Sequence, residues 1–151
     1  MTARMNNPAM ILPEAMNAVR ALGNAGRESG LSEEIAALAT LRASQINGCS
    51  VCVDMHSRQM KDGGESDERL FSLAAWRDAP YFTDAERAAL ALAESVTRLS
   101  DREDPVPDKI WEAAAKHFNE RELAGLIVAI ATINVWNRLN VATRQEAGQR
   151  W

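Results

Sequence analysis

The sequence lacks a run of basic residues, a targeting segment and an apolar stretch long enough to cross a membrane. Its 17 Lys and Arg residues are scattered, and the net charge of -4 gives no electrostatic reason to expect nucleic acid or an anionic membrane as a partner. The apolar run at residues 9–12 is too short for the core of a signal peptide. The longest apolar stretch, residues 123–133, is shorter than the roughly 18 residues that span a bilayer. We therefore expect a cytoplasmic protein that binds neither nucleic acid nor membranes.

Sustained alternation of apolar and polar residues, the pattern of a β-strand, is also missing, and no repeat or domain boundary is visible. Alanine, the best helix former, is abundant instead. The length suits one domain with a substantial core. We therefore predict a single all-α domain over residues 1–151, a helical bundle that begins with a loose segment at residues 1–12. Its six to seven helices are placed at residues 13–28, 32–46, 49–61, 66–76, 83–100, 107–118 and 119–146.

The last predicted helix is unusual because its middle, residues 123–136, is apolar nearly all round. A helix of this kind in a soluble protein must be covered on several sides. Since the domain is small, we expect a second copy of the chain to supply part of that cover. The pattern therefore predicts a homo-oligomer.

Three polar residues, Asn134, Asn137 and Arg138, interrupt this apolar helix. Buried polar groups need hydrogen-bonding partners. We predict that these residues pair with Arg77 or Asp78 from the loop that follows the fourth helix. A role in a pocket is the alternative, so Asn134 is an auxiliary candidate for the functional site.

Both cysteines and one of the two histidines stand in a single pattern, Cys49-x-x-Cys52-x-x-x-His56, directly after the turn signal Asn47-Gly48. If a helix starts at Cys49, all three side chains share one stripe of that helix. A helix N-terminus, a second thiol and a nearby histidine can each lower a thiol pKa, and only the thiolate attacks. His56 can reach the thiol of Cys52, and Cys49 can close a disulfide on an oxidised Cys52. The pattern therefore indicates thiol redox chemistry.

Three other interpretations of this pattern stay open. Two thiolates and an imidazole are zinc ligands, but a structural zinc site needs four ligands. Asp54 is a poor fourth ligand because it lies nearly opposite Cys52 on the helix. His117 is distant in sequence but could close the site. Cys-x-x-Cys also occurs in thioredoxin-like proteins, although that fold needs βαβ units. The last interpretation is a set of buried core residues, because free cysteine is commonly buried.

Several stretches around the cysteines carry a family resemblance. Residues 41–49 read Leu-Arg-Ala-Ser-Gln-Ile-Asn-Gly-Cys, and residues 52–56 read Cys-Val-Asp-Met-His. In these stretches the chain closely resembles the alkyl hydroperoxidase D-like branch of the carboxymuconolactone decarboxylase family. The similarity extends to residues 75–78, 86–90 and 130–138 and covers roughly residues 31–145. Because the turn, both cysteines and the histidine match together, the core motif is specific.

This resemblance implies an all-helical fold that assembles as homotrimers or homohexamers and reduces hydroperoxides. On the family pattern, Cys52 is the peroxidatic thiol, Cys49 is the resolving thiol and His56 belongs to the proton relay. Electrons come from an external dithiol or a small redox protein, and no haem, flavin or metal cofactor is required. The implied enzyme is an alkyl hydroperoxide reductase-like oxidoreductase, an antioxidant protein with peroxiredoxin-type activity.

The chain departs from the family at one position of the relay. The family usually has a glutamate twelve residues before the first cysteine, where this chain has Ala37. Glu33, one helix turn or about 6 Å earlier, and its neighbour Glu34 are auxiliary candidates, although both also suit a solvent-facing helix start. The gap predicts weak peroxidase activity. It also keeps two alternatives open, a carboxymuconolactone decarboxylase-like lyase and a non-enzymatic redox sensor with a vestigial site.

Overall fold

Eight α-helices and two short 3-10 segments form the fold of residues 2–148, the part of the chain that this computed structural model describes. The α-helices are α1 (Pro8–Ile11), α2 (Pro13–Arg27), α3 (Glu33–Ile46), α4 (Ser50–Asp62), α5 (Asp67–Ser72), α6 (Asp84–Thr97), α7 (Asp108–Ala115) and α8 (Glu120–Thr143). The 3-10 segments are Leu73–Ala75 and Leu99–Asp101. Since no strand occurs within the described residues, the predicted all-α fold is confirmed.

The helix ends follow from local sequence signals. α6 begins with a capping box, in which the Glu86 N–H donates to Thr83 Oγ1 over 3.3 Å and the Thr83 N–H donates to Glu86 Oε2 over 2.7 Å. The same device opens α8. α8 ends at Thr143, before the predicted end at residue 146, because Arg144 adopts a left-handed conformation with φ of 57°.

The chain before α2 does not form the predicted loose segment. Residues 2–12, which we call the N-terminal arm, contact the C-terminal end of α8. The Arg4 N–H donates to Thr143 O over 2.9 Å, and Gln145 Nε2 donates to Met5 O over 2.8 Å. The prediction was wrong because such contacts join residues up to 140 positions apart, whereas sequence patterns report local preferences.

A one-turn helix, α1, lies within the N-terminal arm and was not predicted. Pro8 occupies its first turn, where the missing N–H is no loss. Asn7 caps the helix, since its Oδ1 accepts a hydrogen bond from the Ala9 N–H over 2.8 Å. The cap also sets the orientation of the Asn7 side chain, because only its oxygen can accept from that N–H.

α8 is the central helix of the fold and packs against α2, α3 and α6. Its buried residues Leu126 and Ile130 share a core cluster with Leu92 of α6. Ser29, just after α2, lies so close to α8 that a Cβ at Gly125 would overlap the Ser29 side chain. Much of the apolar surface of α8 is therefore covered within the chain itself.

α8 is also the one helix of the described residues that is long and apolar enough, by length and composition alone, to cross a membrane. The core helix of a soluble protein passes the same test, and α8 is packed against α2, α3 and α6. We therefore assign it to the core of the helical bundle. Val135 and Val141 stay partly exposed on α8. The covering of such residues by a second copy of the chain stays a prediction.

Candidate redox site

The cysteines follow a tight turn between α3 and α4. Gly48 in this turn has φ of 66°, a left-handed conformation that favours glycine. The Cys49 N–H donates to Ser44 O over 3.1 Å, which closes the end of α3 onto the start of α4. The turn predicted from Asn47-Gly48 thus makes Cys49 the residue immediately before α4.

Three asparagines hold this turn against α8, and we call Asn47, Asn134 and Asn137 the asparagine cluster. Asn47 Nδ2 donates to Asn134 Oδ1 over 2.9 Å and to Asn137 Oδ1 over 2.8 Å. Asn137 Nδ2 donates in turn to Ser44 Oγ over 3.1 Å, and Arg138 Nη1 donates to Asn134 Oδ1 over 2.9 Å. These bonds fix the position of the turn that carries Cys49.

The predicted pairing of the polar residues of α8 with Arg77 or Asp78 is therefore wrong. Arg77 Nη1 lies 2.7 Å from Glu94 Oε2 instead. The asparagine side chains of α8 are short and face the turn after α3, so Asn47 is the partner within reach. Asn134 makes no hydrogen bond to either sulfur within residues 2–148. Its oxygen accepts from Asn47 of the turn, and its Nδ2 donates to Thr97 Oγ1 over 3.2 Å.

Cys49 and Cys52 form a disulfide, with their Cα atoms 5.4 Å apart. Cys49 is the N-cap of α4, and its Sγ accepts a hydrogen bond from the Cys52 N–H over 3.3 Å. Both residues are buried, each with 1% of its surface exposed. A helix N-terminus and a backbone N–H favour negative charge on sulfur. The geometry therefore suits a reactive thiol pair.

A further contact to the disulfide was not predicted from the sequence. Asn140 Nδ2 donates to Cys52 Sγ over 3.3 Å, and Asn140 Oδ1 accepts from Asn7 Nδ2 over 2.6 Å. The sequence contained a signal for this residue. Asn140 follows Asn137 by three residues, as Asn137 follows Asn134, and such spacing places side chains near one face of a helix.

A cavity of about 560 Å³ lies beside the disulfide. Gly48, Cys49, Asn140 and Arg144 are among the residues that line it, whereas Cys52 is not. Cys49 is therefore the cysteine that borders the cavity. The two cysteines have different surroundings, since Cys49 lines the cavity and the Cys52 sulfur contacts the Asn140 amide of α8.

His56 lies one helix turn beyond Cys52 but makes no hydrogen bond to either sulfur within the described residues. Its Nδ1 is 3.1 Å from Gln59 Oε1. Burial lowers the pKa of His56 below its usual value, and the hydrogen bond with Gln59 offsets only part of that effect. The imidazole is therefore neutral at pH 7 and able to accept a proton. The expected contact with Cys52 is not formed in this disulfide state, and the relay role stays a prediction.

The two auxiliary carboxylates at the start of α3 have different surroundings. Glu34 is exposed, and its Oε1 lies 3.1 Å from Arg69 Nη2. Glu33 is also exposed, but it lines a cavity of about 370 Å³ together with Ala37 and His56. Of the two, Glu33 is therefore the carboxylate that shares a space with the histidine.

A second polar cluster, of a different kind, surrounds Glu94 on α6. Glu94 Oε1 accepts from Arg42 Nε over 2.7 Å and from Trp76 Nε1 over 2.9 Å, and Arg77 Nη1 lies 2.7 Å from Oε2. Burial raises the pKa of Glu94, but the hydrogen bonds from Trp76, Arg42 and Arg77 together outweigh that effect, so the pKa lies below its usual value. We call these four residues the Glu94 cluster. This cluster was not predicted from the sequence because no local pattern joins its members.

Residues 2–148 contain no group of three or more His, Cys, Asp or Glu side chains arranged to hold a metal ion. Asp54 Oδ1 is 2.8 Å from Arg58 Nε, in an ion pair on α4 itself. The zinc interpretation therefore finds no ligand set in the part of the chain that the structure describes.

Similarities to known proteins agree with this fold. The sequence profile of the carboxymuconolactone decarboxylase family matches residues 13–95. Over 140 residues the chain is 31% identical to the uncharacterized protein YdfG of Bacillus subtilis (strain 168), a match that covers 93% of this chain and 94% of that protein. The chain belongs to the carboxymuconolactone decarboxylase family.

Solved structures narrow the assignment within this family. The chain superposes with a TM-score of 0.90 on ATU0492 from Agrobacterium tumefaciens, a protein of unknown function described provisionally as the antioxidant defence protein AhpD. The two are 38% identical, over 99% of this chain and 100% of that chain. The debrominase Bmp8, 18% identical with a TM-score of 0.78 over 89% of this chain and 72% of its own, shares the fold alone. This chain is a member of the alkyl hydroperoxidase D-like branch.

Proposed function

We propose that this protein is a thiol-dependent peroxidase that reduces hydroperoxides through Cys49 and Cys52. The observation that carries the proposal is the buried cysteine pair, at disulfide distance and at the N-terminus of α4, beside a cavity. The likeness to ATU0492, with its provisional antioxidant description, supports the same activity. The enzyme is then an alkyl hydroperoxide reductase-like oxidoreductase that works without haem, flavin or metal.

In the first half of the cycle, the Cys52 thiolate attacks the distal oxygen of the hydroperoxide. An S–O bond forms, the O–O bond breaks, and the alcohol or water leaves after it takes up a proton. Cys52 is then a sulfenic acid. Cys49 attacks the sulfur of that sulfenic acid, the S–O bond breaks, and water leaves as the disulfide forms. The hydroperoxide has been reduced by two electrons, and the thiol pair has been oxidised by two.

In the second half of the cycle, an external dithiol or a small redox protein reduces the disulfide. The cavity beside Cys49 supports an attack of the donor thiolate on that sulfur, because Cys49 lines the cavity and Cys52 does not. The donor forms a mixed disulfide with Cys49, and Cys52 leaves as a thiolate. The second donor thiol then releases Cys49, so the donor ends as a disulfide.

His56 is the proposed proton relay. Its imidazole is neutral at pH 7, so it can accept the proton of the Cys52 thiol and return it to the leaving oxygen. Glu33 lines the same cavity as His56 and can stabilise the imidazolium through water. Ala37 provides no direct carboxylate, so we expect a slow peroxidase.

The partners and the location of the protein follow from the same proposal. A hydroperoxide and a dithiol are the reactants, and we propose a cytoplasmic location because the reducing cytoplasm keeps dithiol donors reduced. We propose a homotrimer or homohexamer, in which a second copy covers the exposed apolar residues of α8, such as Val135 and Val141. Light scattering coupled to gel filtration measures the number of chains, and a monomer would contradict the proposal.

The experiment that tests the activity is consumption of hydrogen peroxide and of an organic hydroperoxide, with dithiothreitol as the donor. We compare the wild type with Cys52→Ser and with the matched variant Cys49→Ser. In a single turnover of the reduced protein, Cys49→Ser should still consume peroxide, because the attacking thiol remains, whereas Cys52→Ser should consume none. If the wild type is no faster than Cys52→Ser, the peroxidase proposal is wrong.

The absence of a relay carboxylate at Ala37 favours a second candidate, a redox sensor without enzymatic turnover. A sensor needs no activated peroxidatic thiol, so the pKa of Cys52 would lie near that of free cysteine, about 8.5. The rate of alkylation of Cys52 as a function of pH measures that pKa. A decarboxylase-like lyase needs neither cysteine, and its activity would survive replacement of both by serine.

A further inference from the structure

We propose that Asn140 is the side-chain donor that holds and stabilises the sulfur of Cys52 in the reduced protein, and that Asn7 positions Asn140 for this task. The inference rests on the proposed dithiol–disulfide function, but it concerns the thiol itself and is tested without peroxide. Asn140 Nδ2 lies 3.3 Å from Cys52 Sγ. Asn140, Asn7 and Cys52 are 8%, 7% and 1% exposed, so water competes little for this contact.

The orientation of both amides follows from one backbone donor. The Ala9 N–H can only donate, so the atom of Asn7 that faces it must be the oxygen. Asn7 Nδ2 therefore points to Asn140, which must present its own oxygen in return. The remaining amide group of Asn140 is then Nδ2, and it faces Cys52 Sγ. The chain of bonds leaves no alternative assignment in which an amide oxygen faces the sulfur.

This donor matters more in the reduced than in the oxidised protein. A neutral disulfide sulfur is a weak hydrogen-bond acceptor. A thiolate at the same position carries a full charge, and charge-assisted hydrogen bonds are roughly twice as strong as neutral ones. The contact between Asn140 and Cys52 therefore stabilises the thiolate more than it stabilises the disulfide.

The reduction step shows where this preference acts. When a donor thiolate attacks Cys49 Sγ, a new S–S bond forms and the Cys49–Cys52 bond breaks. The electron pair of the broken bond stays on Cys52 Sγ, which becomes a thiolate beside Asn140 Nδ2. The same thiolate is the nucleophile of the next peroxide reduction, so one amide assists the leaving group and readies the nucleophile.

The charged and titratable groups near the cysteine pair do not act as hydrogen-bond donors to Cys52 in place of Asn140. His56 belongs to α4 and contacts Gln59. Arg144 and Glu146, from the chain after α8, line the cavity beside Cys49. None of these groups hydrogen-bonds to a sulfur within residues 2–148, where Asn140 is the only side-chain donor to Cys52.

The test uses Cys49→Ser as the parent protein, because the sequence has two cysteines and this variant leaves Cys52 as the single thiol. Serine is also a good N-cap, so the start of α4 is kept. The rate of alkylation by iodoacetamide is measured against pH, and its midpoint reports the pKa of Cys52. Asn140→Leu removes the donor at similar size, and Asn140→Asp replaces the donor by a carboxylate of the same shape.

We expect the midpoint to rise by about one pH unit in Asn140→Leu, which corresponds to the loss of one hydrogen bond to a charged group. Asn140→Asp should raise it further, because a carboxylate repels the thiolate. Asn7→Ala should raise it less, since Asn140 remains but loses its fixed orientation. In Asn140→Leu, the additional change Asn7→Ala should have no effect on the midpoint.

Two controls separate this role from general damage to the fold. Thr143→Val changes a buried hydroxyl one turn from Asn140 that bonds to Leu139 O, and Arg4→Ala removes another contact of the N-terminal arm, to Ala142 O. Both should keep the parent midpoint. If Asn140→Leu and Asn140→Asp match Thr143→Val, the role of Asn140 is refuted. If Arg4→Ala shifts the midpoint as much as Asn7→Ala does, the positioning role of Asn7 is refuted.

A second measurement uses the chain with both cysteines. Because Asn140 favours the thiolate, Asn140→Leu should shift the equilibrium with dithiothreitol toward the protein disulfide, by up to about tenfold. An unchanged equilibrium would also refute the inference. Neither measurement involves peroxide, so a failure here leaves the peroxidase assay unaffected, and a failed peroxidase assay leaves the thiol measurements unaffected.

Discussion

Two buried polar regions of this protein provide partners for their buried hydrogen-bonding groups in different ways. The asparagine cluster and Asn140 surround the cysteine turn with neutral amides, which donate and accept without changing charge. The Glu94 cluster, by contrast, joins one buried carboxylate to two guanidinium groups and an indole N–H. Within residues 2–148 no buried side-chain nitrogen or oxygen lacks a partner, so both regions are fully satisfied.

The difference teaches where charge is tolerated near a thiol. A fixed negative charge beside the sulfurs would raise the thiol pKa, and a fixed positive charge would lower it. The neutral amides of the asparagine cluster position the turn without placing a fixed charge beside the sulfurs. The ionic cluster lies away from the sulfurs, where it joins α3 and α6 to the loop after α5 and affects stability.

The largest expected effect is on the ionic region. Glu94→Gln removes the charge that compensates Arg42, which is largely buried. Breaking a buried ion pair by removing one partner is strongly destabilising, and we expect a loss of about 3 kcal/mol in the free energy of unfolding. Urea denaturation at pH 7 measures it. The matched control is Glu34→Gln, whose pair with Arg69 is exposed on the glutamate side and should be worth at most about 1 kcal/mol. Equal losses in both variants would contradict the comparison.

The next effect is on the amide region. Asn47→Ala deletes both donor bonds to α8 and leaves the carboxamide oxygen of Asn137 without its donor. A loss of about 2 kcal/mol is expected, because a buried acceptor left unpaired carries its full desolvation penalty. Urea denaturation measures it against Asn24→Ala, an exposed asparagine that accepts from Arg27. Peroxide turnover should fall in Asn47→Ala alone, since the cysteine turn loses its anchor.

Acid should remove the contribution of the Glu94 cluster to stability but not that of the asparagine cluster. The pKa of Glu94 is lowered in the folded state, so the unfolded chain takes up the proton more readily. Its contribution to stability is complete above the ordinary glutamate pKa of about 4.3 and is lost as the pH falls toward the folded pKa. The free energy of unfolding should therefore fall by up to about 1.4 kcal/mol per pH unit in that window. Glu94→Gln should remove this part of the slope, and Asn47→Ala should keep it.

The smallest expected effect is the pH response of His56. Its pKa is lowered in the folded state because burial disfavours the imidazolium, so the unfolded chain again binds the proton more readily. Stability should be complete above about pH 6.5, the ordinary histidine value, and should decline below it, by less than about 1.4 kcal/mol per pH unit. In His56→Gln, the free energy of unfolding should vary less with pH between about pH 5 and 7. A slope that persists unchanged in this variant would show that another group is responsible.

Most helices could be predicted because their signals are local. The capping box at Thr83 and Glu86 and the turn at Asn47 and Gly48 act between residues a few positions apart. Errors arose where distant contacts decide. The N-terminal arm was predicted to be loose because nothing in residues 2–12 indicates its binding to the end of α8. Asn134 and Asn137 were recognised as needing partners, but the identity of the partner depends on how α3 and α8 cross.

The candidate site divides in the same way. The sequence alone determined the helical class, the Cys-x-x-Cys pair at a helix start and the absence of a carboxylate at Ala37, since these depend on residue identity and short spacing. Only the tertiary structure placed Asn140 on Cys52, 88 positions away, and Asn7 on Asn140, 133 positions away. The physical reason is that a hydrogen bond depends on distance and direction between atoms, and only the packing of α8 against α4 and the N-terminal arm fixes both.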